Sequence, residues 1–250
     1  MNEELFSIFA HKLWKNKMKI GIIVAMDREL QQLRQVFDNS QVIVEKCGIG
    51  KVNAALGVQR MINEHRPDCI ISSGCAGGGN GEGVNIKDIV VSREVAYHDV
   101  YCGKAEDGSL QYGQMQGLPA RFQADPYLLR KSEELTSHCS RGFAIPAPLT
   151  VQGDLQSPHL HHGLIVTGDW FVDSREKMQS IVDLFPEALA VDMESAAIAH
   201  ACYVNKVPFI SFRVVSDVPL RDSHASQYHD FWNQVAAQSF QLTRTFVESL

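Results

Sequence analysis

Ala190-Val-Asp-Met-Glu-Ser-Ala-Ala-Ile-Ala-His200 sets two carboxylates, Asp192 and Glu194, between a short apolar run and a helical run of small residues. A second strand-like run, Pro208-Phe-Ile-Ser-Phe-Arg-Val-Val-Ser-Asp217, follows and ends on another carboxylate. Strand, acids, helix, strand, acid is how an α/β protein brings acids to one rim of its sheet. Taken alone, Glu194 and Asp217 also read as ordinary cap or surface acids.

Upstream, Gly163-Leu-Ile-Val-Thr-Gly-Asp-Trp-Phe-Val172 reads as a strand ending in a loop that bears Trp170 and Phe171. Ser174 caps a helix leading to Phe185, and Pro186 ends it. Downstream, a closing helix starts near Gln227, with Phe231, Val235, Leu242 and Phe246 on its apolar face.

The N-terminal half repeats the alternation. Lys19-Ile-Gly-Ile-Ile-Val-Ala-Met26 is the nearly continuous apolar run of a strand covered on both faces. Leu30, Leu33 and Phe37 then fall on one helical face, with Asp27 and Glu29 in the first turn. Glu29 is either a helix-start acid or a base presented at a strand's carboxyl end. A strand at 42–45 leads through Gly48-Ile-Gly50 into a helix running to His65. The paired glycines lack the third glycine and the following acid of a dinucleotide fingerprint, which argues against a nicotinamide or flavin cofactor.

Cys69-Ile-Ile-Ser72 reads as a third strand opening into a glycine-rich loop at 73–81. Close approach of backbone to a ligand and a mobile surface turn both account for its glycines. Residues 88–97 form another strand, 98–125 a long ordered loop or projecting arm, and 126–139 a helix. His159, His161 and His162 crowd beside Pro158 as a turn, without the spacing of a zinc site, so no metal is expected.

Composition narrows the function classes. The 250 residues are 45% hydrophobic and 21% charged, the balance of a folded domain rather than a disordered chain. With 23 basic against 29 acidic residues, the net charge of −6 disfavours nonspecific nucleic-acid or anionic-membrane binding. No apolar run approaches the roughly 18 residues of a transmembrane helix. The acidic start, Met1-Asn-Glu-Glu4, is unlike a secretory signal, so a cytoplasmic location is expected. Six dispersed cysteines fit inert thiols rather than a disulfide framework. The expected architecture is an amphipathic extension at 1–17 and one α/β domain at 18–250. Its central sheet is mostly parallel or mixed and flanked by helices.

Six blocks then occur in order: Gly21-Ile-Ile-Val-Ala-Met-Asp-Arg-Glu29, Gly48-Ile-Gly-Lys-Val-Asn-Ala-Ala55, Ser73-Gly-Cys-Ala-Gly-Gly78, Tyr97-His-Asp99, Val191-Asp-Met-Glu194 and Val215-Ser-Asp217. Together they resemble the 5'-methylthioadenosine/S-adenosylhomocysteine nucleosidases, within the purine and uridine phosphorylase superfamily, over about 18–250. The resemblance implies a nucleoside phosphorylase-like fold and hydrolysis of an adenine N-glycosidic bond, with no cofactor. It implies that Glu29 activates water and that Asp217, held by Ser216, protonates adenine at N7. Glu194 would accept from ribose hydroxyls, with Met193 under the sugar. Phe171 would stack on adenine, the Val172 backbone would read the base edge, and Ile49, Cys75 and Ala76 would line the ribose and water region. A homodimer is implied, with residues 98–119 near the neighbouring site. Its partners would be an adenine nucleoside and water.

The chemistry agrees with that assignment. An N-glycosidic bond breaks through an oxocarbenium-like sugar, which nearby carboxylates stabilise, and the departing purine needs a proton. Phosphorylases of the superfamily carry a phosphate-binding arginine where this chain has Ser72, so water is favoured as nucleophile over phosphate. The alternatives are a phosphorolytic nucleoside phosphorylase and a non-catalytic nucleoside-binding protein. Cys75 in place of the usual serine, Asp192 in place of glutamate and Gln116 in place of proline are departures from the pattern. The 5'-group stays open among methylthio, homocysteinyl, deoxy and futalosine-type substituents.

Overall fold

A computed structural model describes residues 18–34, 37, 41–79, 83–103, 111–139, 158–221, 231–232 and 240–250, without the side chains of 136–139. The extension at 1–17 and the expected helix start near Gln227 lie outside the described residues.

Eight strands are described: β1 Ile20–Val24, β2 Val42–Lys46, β3 Cys69–Gly78, β4 Ile89–Tyr97, β5 Phe122–Gln123, β6 Leu160–Thr167, β7 Ala188–Asp192 and β8 Phe209–Asp217. Six helices accompany them: α1 Asp27–Arg34, α2 Lys51–His65, α3 Pro126–Cys139, α4 Arg175–Leu184, α5 Ser195–Asn205 and α6 Gln241–Ser249. The strands form one mixed sheet. β3 pairs parallel with β8, β8 antiparallel with β4, and β4 parallel with β6. β6 pairs parallel with β7, and β7 returns antiparallel to β3, so five strands close on themselves as a barrel-like core. β1 and β2 extend the sheet from β3, and β5 borders β4.

Period-two alternation divides the core between the faces of β1 and β3. Ile22, Val24 and Ile71 join Leu33, Phe212 and Phe246 in one apolar cluster. Ile23 and Ile70 point the other way, to Val58, Met61, Ala196 and Cys202 beneath α2 and α5. Helix α5 has Ser195, Ala196, Ala197, Ile198 and Ala199 all buried in succession, and the small serine and alanine side chains around Ile198 let it lie close to the sheet. A third cluster seats Met178 and Ile181 of α4 on Val166 and Val191.

Two expectations are corrected. The segment expected as a glycine-rich loop from Ser73 continues as strand β3 to Gly78, paired with β8 through Gly77 and with β7 at Gly77 and Gly78. A register shift between Ala76 and Gly77 lets that pairing run on to Asp217. The histidines expected in a turn are instead largely in β6, which begins at Leu160 opposite Ile89. His161 pairs with Asp88 at 3.0 Å and His162 with Ser132 at 3.0 Å, so polar partners hold these side chains in a strand. Within the irregular 98–125 stretch, Phe122 and Gln123 form the edge strand β5.

Candidate active site

The carboxyl ends of β1, β3, β7 and β8 lie on one rim and open into a cavity of about 340 Å³. Its lining includes all ten residues assigned to the site by sequence: Glu29, Ile49, Cys75, Ala76, Phe171, Val172, Met193, Glu194, Ser216 and Asp217. Ala25, Met26, Gly77, Trp170, Val191 and Asp192 also line it. The sequence assignment missed these, although the first two precede Glu29 and Trp170 belongs to the same aromatic pair as Phe171.

Glu29 sits in the first turn of α1 and is buried. Its Oε2 accepts from the backbone N–H groups of Ala25 and Met26, each at 2.9 Å. Its Oε1 accepts from the Cys75 N–H at 3.1 Å. Burial raises its pKa, while the Arg213 guanidinium and the three N–H donors pull it down. The close approach explains Gly74: a Cβ there would lie 2.8 Å from Glu29 Oε1 and 3.2 Å from Arg213 Nη1.

Arg213 is itself committed to the protein. Nε donates to Asp192 Oδ2 at 2.6 Å, Nη2 to Ser72 Oγ at 2.8 Å and Nη1 to the Phe212 carbonyl at 3.3 Å. Asp192 also accepts from Thr167 Oγ1 at 2.5 Å and from the Ser195 hydroxyl. This buried ion pair therefore has its further polar atoms satisfied, the condition under which such a pair is tolerated.

Glu194 occupies the N-cap position of α5. Its Oε1 accepts from the Gly50 N–H at 3.0 Å, across 144 positions of sequence. Burial and the neighbouring Asp192 carboxylate raise its pKa against the pull of Arg213. Gly50 adopts φ +92, in the region glycine favours, and so turns its N–H toward Glu194.

Asp217 ends β8. Ser216 Oγ lies 2.6 Å from Asp217 Oδ1 and 3.2 Å from the Ala76 carbonyl, and the shorter contact directs its proton to Asp217. Burial raises the Asp217 pKa and the Ser216 hydroxyl lowers it. Cys75 lies between these acids. Burial, then Glu29, push its thiol well above the ordinary range, so it faces the cavity as a protonated, weak hydrogen-bonding group.

Phe171 and Ile49 stand at the mouth, 56% and 50% exposed. Trp170 packs edge-on against the buried His98 ring at 5.3 Å between centroids. Burial lowers the His98 pKa, so it presents a neutral imidazole there.

Among the described residues, Glu45, Glu64 and His65 form the one group whose donor atoms lie close enough to share an ion. None of them lines the cavity. Arg60 approaches Glu45 at 3.6 Å and competes for the same carboxylate. The cavity itself offers carboxylates, one hydroxyl, a thiol and aromatic faces. That set suits a neutral ligand with one flat ring and several hydroxyls, which passes through a cation when its bond breaks.

A profile of the phosphorylase superfamily matches residues 36–248. Among solved structures, the 5'-methylthioadenosine/S-adenosylhomocysteine nucleosidase from Neisseria meningitidis, in complex with methylthio-immucillin-A, is 33% identical. That match has a TM-score of 0.77 and covers 92% of this chain and 99% of that one. The corresponding enzyme from S. pneumoniae, with a transition-state inhibitor, is 32% identical at a TM-score of 0.76, over 93% and 99% of the two chains. The nucleosidase from Colwellia psychrerythraea 34H, in complex with adenine, is 29% identical at a TM-score of 0.78, over 94% and 96%.

Proposed function

The chain belongs to the 5'-methylthioadenosine/S-adenosylhomocysteine nucleosidases of the phosphorylase superfamily, and from that membership we infer that it hydrolyses the N-glycosidic bond of 5'-substituted adenosines and releases adenine. The observation that carries the reading is the single cavity into which Glu29, Glu194 and Asp217 converge, each with burial raising its pKa.

The residues divide the reaction as follows. Adenine stacks on Phe171 while the Val172 backbone meets its edge. Asp217 gives its proton to N7 as the bond from the base nitrogen to the anomeric carbon breaks, so the base leaves neutral. The ribosyl group carries the resulting positive charge, and Glu194 holds the ribose hydroxyls over Met193. Water adds to the anomeric carbon and Glu29 takes its proton, which leaves a free reducing sugar. Ile49, Cys75 and Ala76 bound the ribose and water region.

Water rather than phosphate is the nucleophile in this reading. A phosphate dianion calls for a guanidinium edge. All three nitrogens of Arg213 donate to Asp192, Ser72 and Phe212, and Ser72 holds the position of the phosphorylase arginine. The test is adenine release from a panel of 5'-substituted adenosines in phosphate-free buffer, repeated with phosphate. Turnover without phosphate, ranked by 5'-substituent, is expected. Release only with phosphate, or none in either buffer, overturns the reading.

The chain acts as a homodimer in the same reading. Ile49, Val52 and Leu56 form an exposed apolar strip along the start of α2, beside the cavity mouth. Tyr101 and Tyr112, stacked at 5.7 Å, present aromatic surface from the 98–119 arm. A second copy would cover the strip and set its arm beside the neighbouring site. Sedimentation velocity is expected to give twice the chain mass at micromolar concentration, and a monomer there overturns the pairing.

A further inference from the structure

Asp169 stands just before the aromatic pair of the cavity mouth and lines no part of the cavity itself. Its Oδ1 accepts from the Lys51 N–H at 2.8 Å, at the first residue of α2. The preceding N–H, that of Gly50, donates to Glu194 Oε1 at 3.0 Å. Two adjacent backbone donors therefore hold two carboxylates, one on the proposed ribose side and one on the loop that carries the proposed base-stacking ring. Gly50 makes room for Asp169, since a Cβ there would lie 3.0 Å from Asp169 Oδ1.

A second tie runs through Asp99. Its Oδ2 accepts from the Asp169 N–H at 2.8 Å, and both its oxygens accept from Lys51 Nζ at 2.7 Å. The Asp99 side chain is 8% exposed in this pair, so solvent screens it less than a surface ion pair. Beneath the loop, a Cβ on Gly168 would lie 2.4 Å from His98 Cε1, so the loop rests directly on that ring. Mouth loop, arm root and helix start are thus fastened at one point.

We propose that Asp169 is a positioning residue, which ties the aromatic mouth loop to the helix start that also holds Glu194 and so fixes the distance between the base and ribose halves of the site. The proposal rests on the nucleoside reading above. Asp169 is outside the cavity lining, so in this reading it meets neither substrate nor reacting atoms. It acts by holding the loop that sets Phe171 against the base, so its loss is felt in ground-state affinity before chemistry. Asparagine keeps the Oδ1 acceptor for the Lys51 N–H and gives up only the long, half-exposed ion contact of Oδ2 with Lys51 Nζ at 3.8 Å, whereas alanine removes both.

The test compares wild type, Asp169→Ala and Asp169→Asn, with methylthioadenosine as substrate and adenine as a binding probe by calorimetry. With Asp169→Ala, KM and the adenine Kd are both expected to rise about 5- to 10-fold, as for one lost hydrogen bond of ordinary strength, with kcat within about threefold. Asp169→Asn is expected to restore both to within about threefold of wild type. An adenine Kd for the alanine variant within about threefold of wild type overturns the proposal. So does an asparagine variant as weak as alanine. A wild-type protein that binds adenine but releases none sinks the nucleosidase reading alone, because the ratio of adenine affinities still measures Asp169.

Discussion

Asp217→Asn is expected to lower adenine release about 100- to 10,000-fold, the range for loss of a positioned general acid, while the protein stays folded. Asparagine keeps the volume and an acceptor oxygen for the Ser216 hydroxyl, which lies 2.6 Å from Asp217 Oδ1. It has no acidic proton to give N7, so the base must depart as an anion. In the wild type, burial raises the Asp217 pKa, and the proton is retained to higher pH than on an ordinary carboxyl. Wild-type turnover is therefore expected to fall on the alkaline side as that proton is lost, and the variant's residual turnover to lack this limb. Steady-state kinetics across pH, with circular dichroism as a check on folding, measures both. Near-wild-type turnover by Asp217→Asn overturns the assignment.

Glu29→Gln is expected to reduce turnover by a similar 100- to 10,000-fold, roughly, with nucleoside binding preserved. The carboxylate accepts from Ala25, Met26 and Cys75 backbone donors on its two oxygens. A glutamine amide keeps one carbonyl oxygen but turns an NH₂ group toward one set of these N–H groups. The variant thus loses the base and gains a local donor–donor conflict, at a cost of about 1–3 kcal/mol for the unsatisfied buried groups. Burial is the largest influence on this group and favours its neutral form, opposed by Arg213. Glutamine is neutral, so substituting it also removes that desolvation penalty, and a large net loss of stability is not expected. Single-turnover kinetics with calorimetry of ligand binding separates chemistry from affinity. Unchanged product formation would remove Glu29 from the role of water base.

Particular residues show how far the sequence could be read. The strand at 20–24 was legible because an unbroken apolar run has to be buried on both faces, and Ile22 and Ile23 do enter opposite clusters. Ser174 was legible as the cap of α4, because its hydroxyl accepts from the nearby Lys177 N–H, and Glu194 as the acid at the start of α5, although the partner of its side chain is the distant Gly50 N–H. The segment from Ser73 to Gly78 was not. Glycine argues locally for a loop, and only its pairing with β8 and the side chains of Glu29 and Arg213 above Gly74 make it a strand. His161 was misread for the same reason, because its partner Asp88 lies 73 positions away.

The sequence by itself determined the alternation of strands and helices, the three acids at element ends, and the ordered blocks that identify the family, because periodicity and residue chemistry are local properties. Only the tertiary structure decided that β3, β8, β4, β6 and β7 close into a ring. It alone set burial against the Arg213 guanidinium at Glu29 and Glu194 and against the Ser216 hydroxyl at Asp217, and joined Glu194 and Asp169 to consecutive N–H groups of one helix start. Such contacts depend on register between segments well separated in the chain, by 144 positions for Gly50 and Glu194, which no local pattern encodes, and on burial, which exists only once the chain has packed.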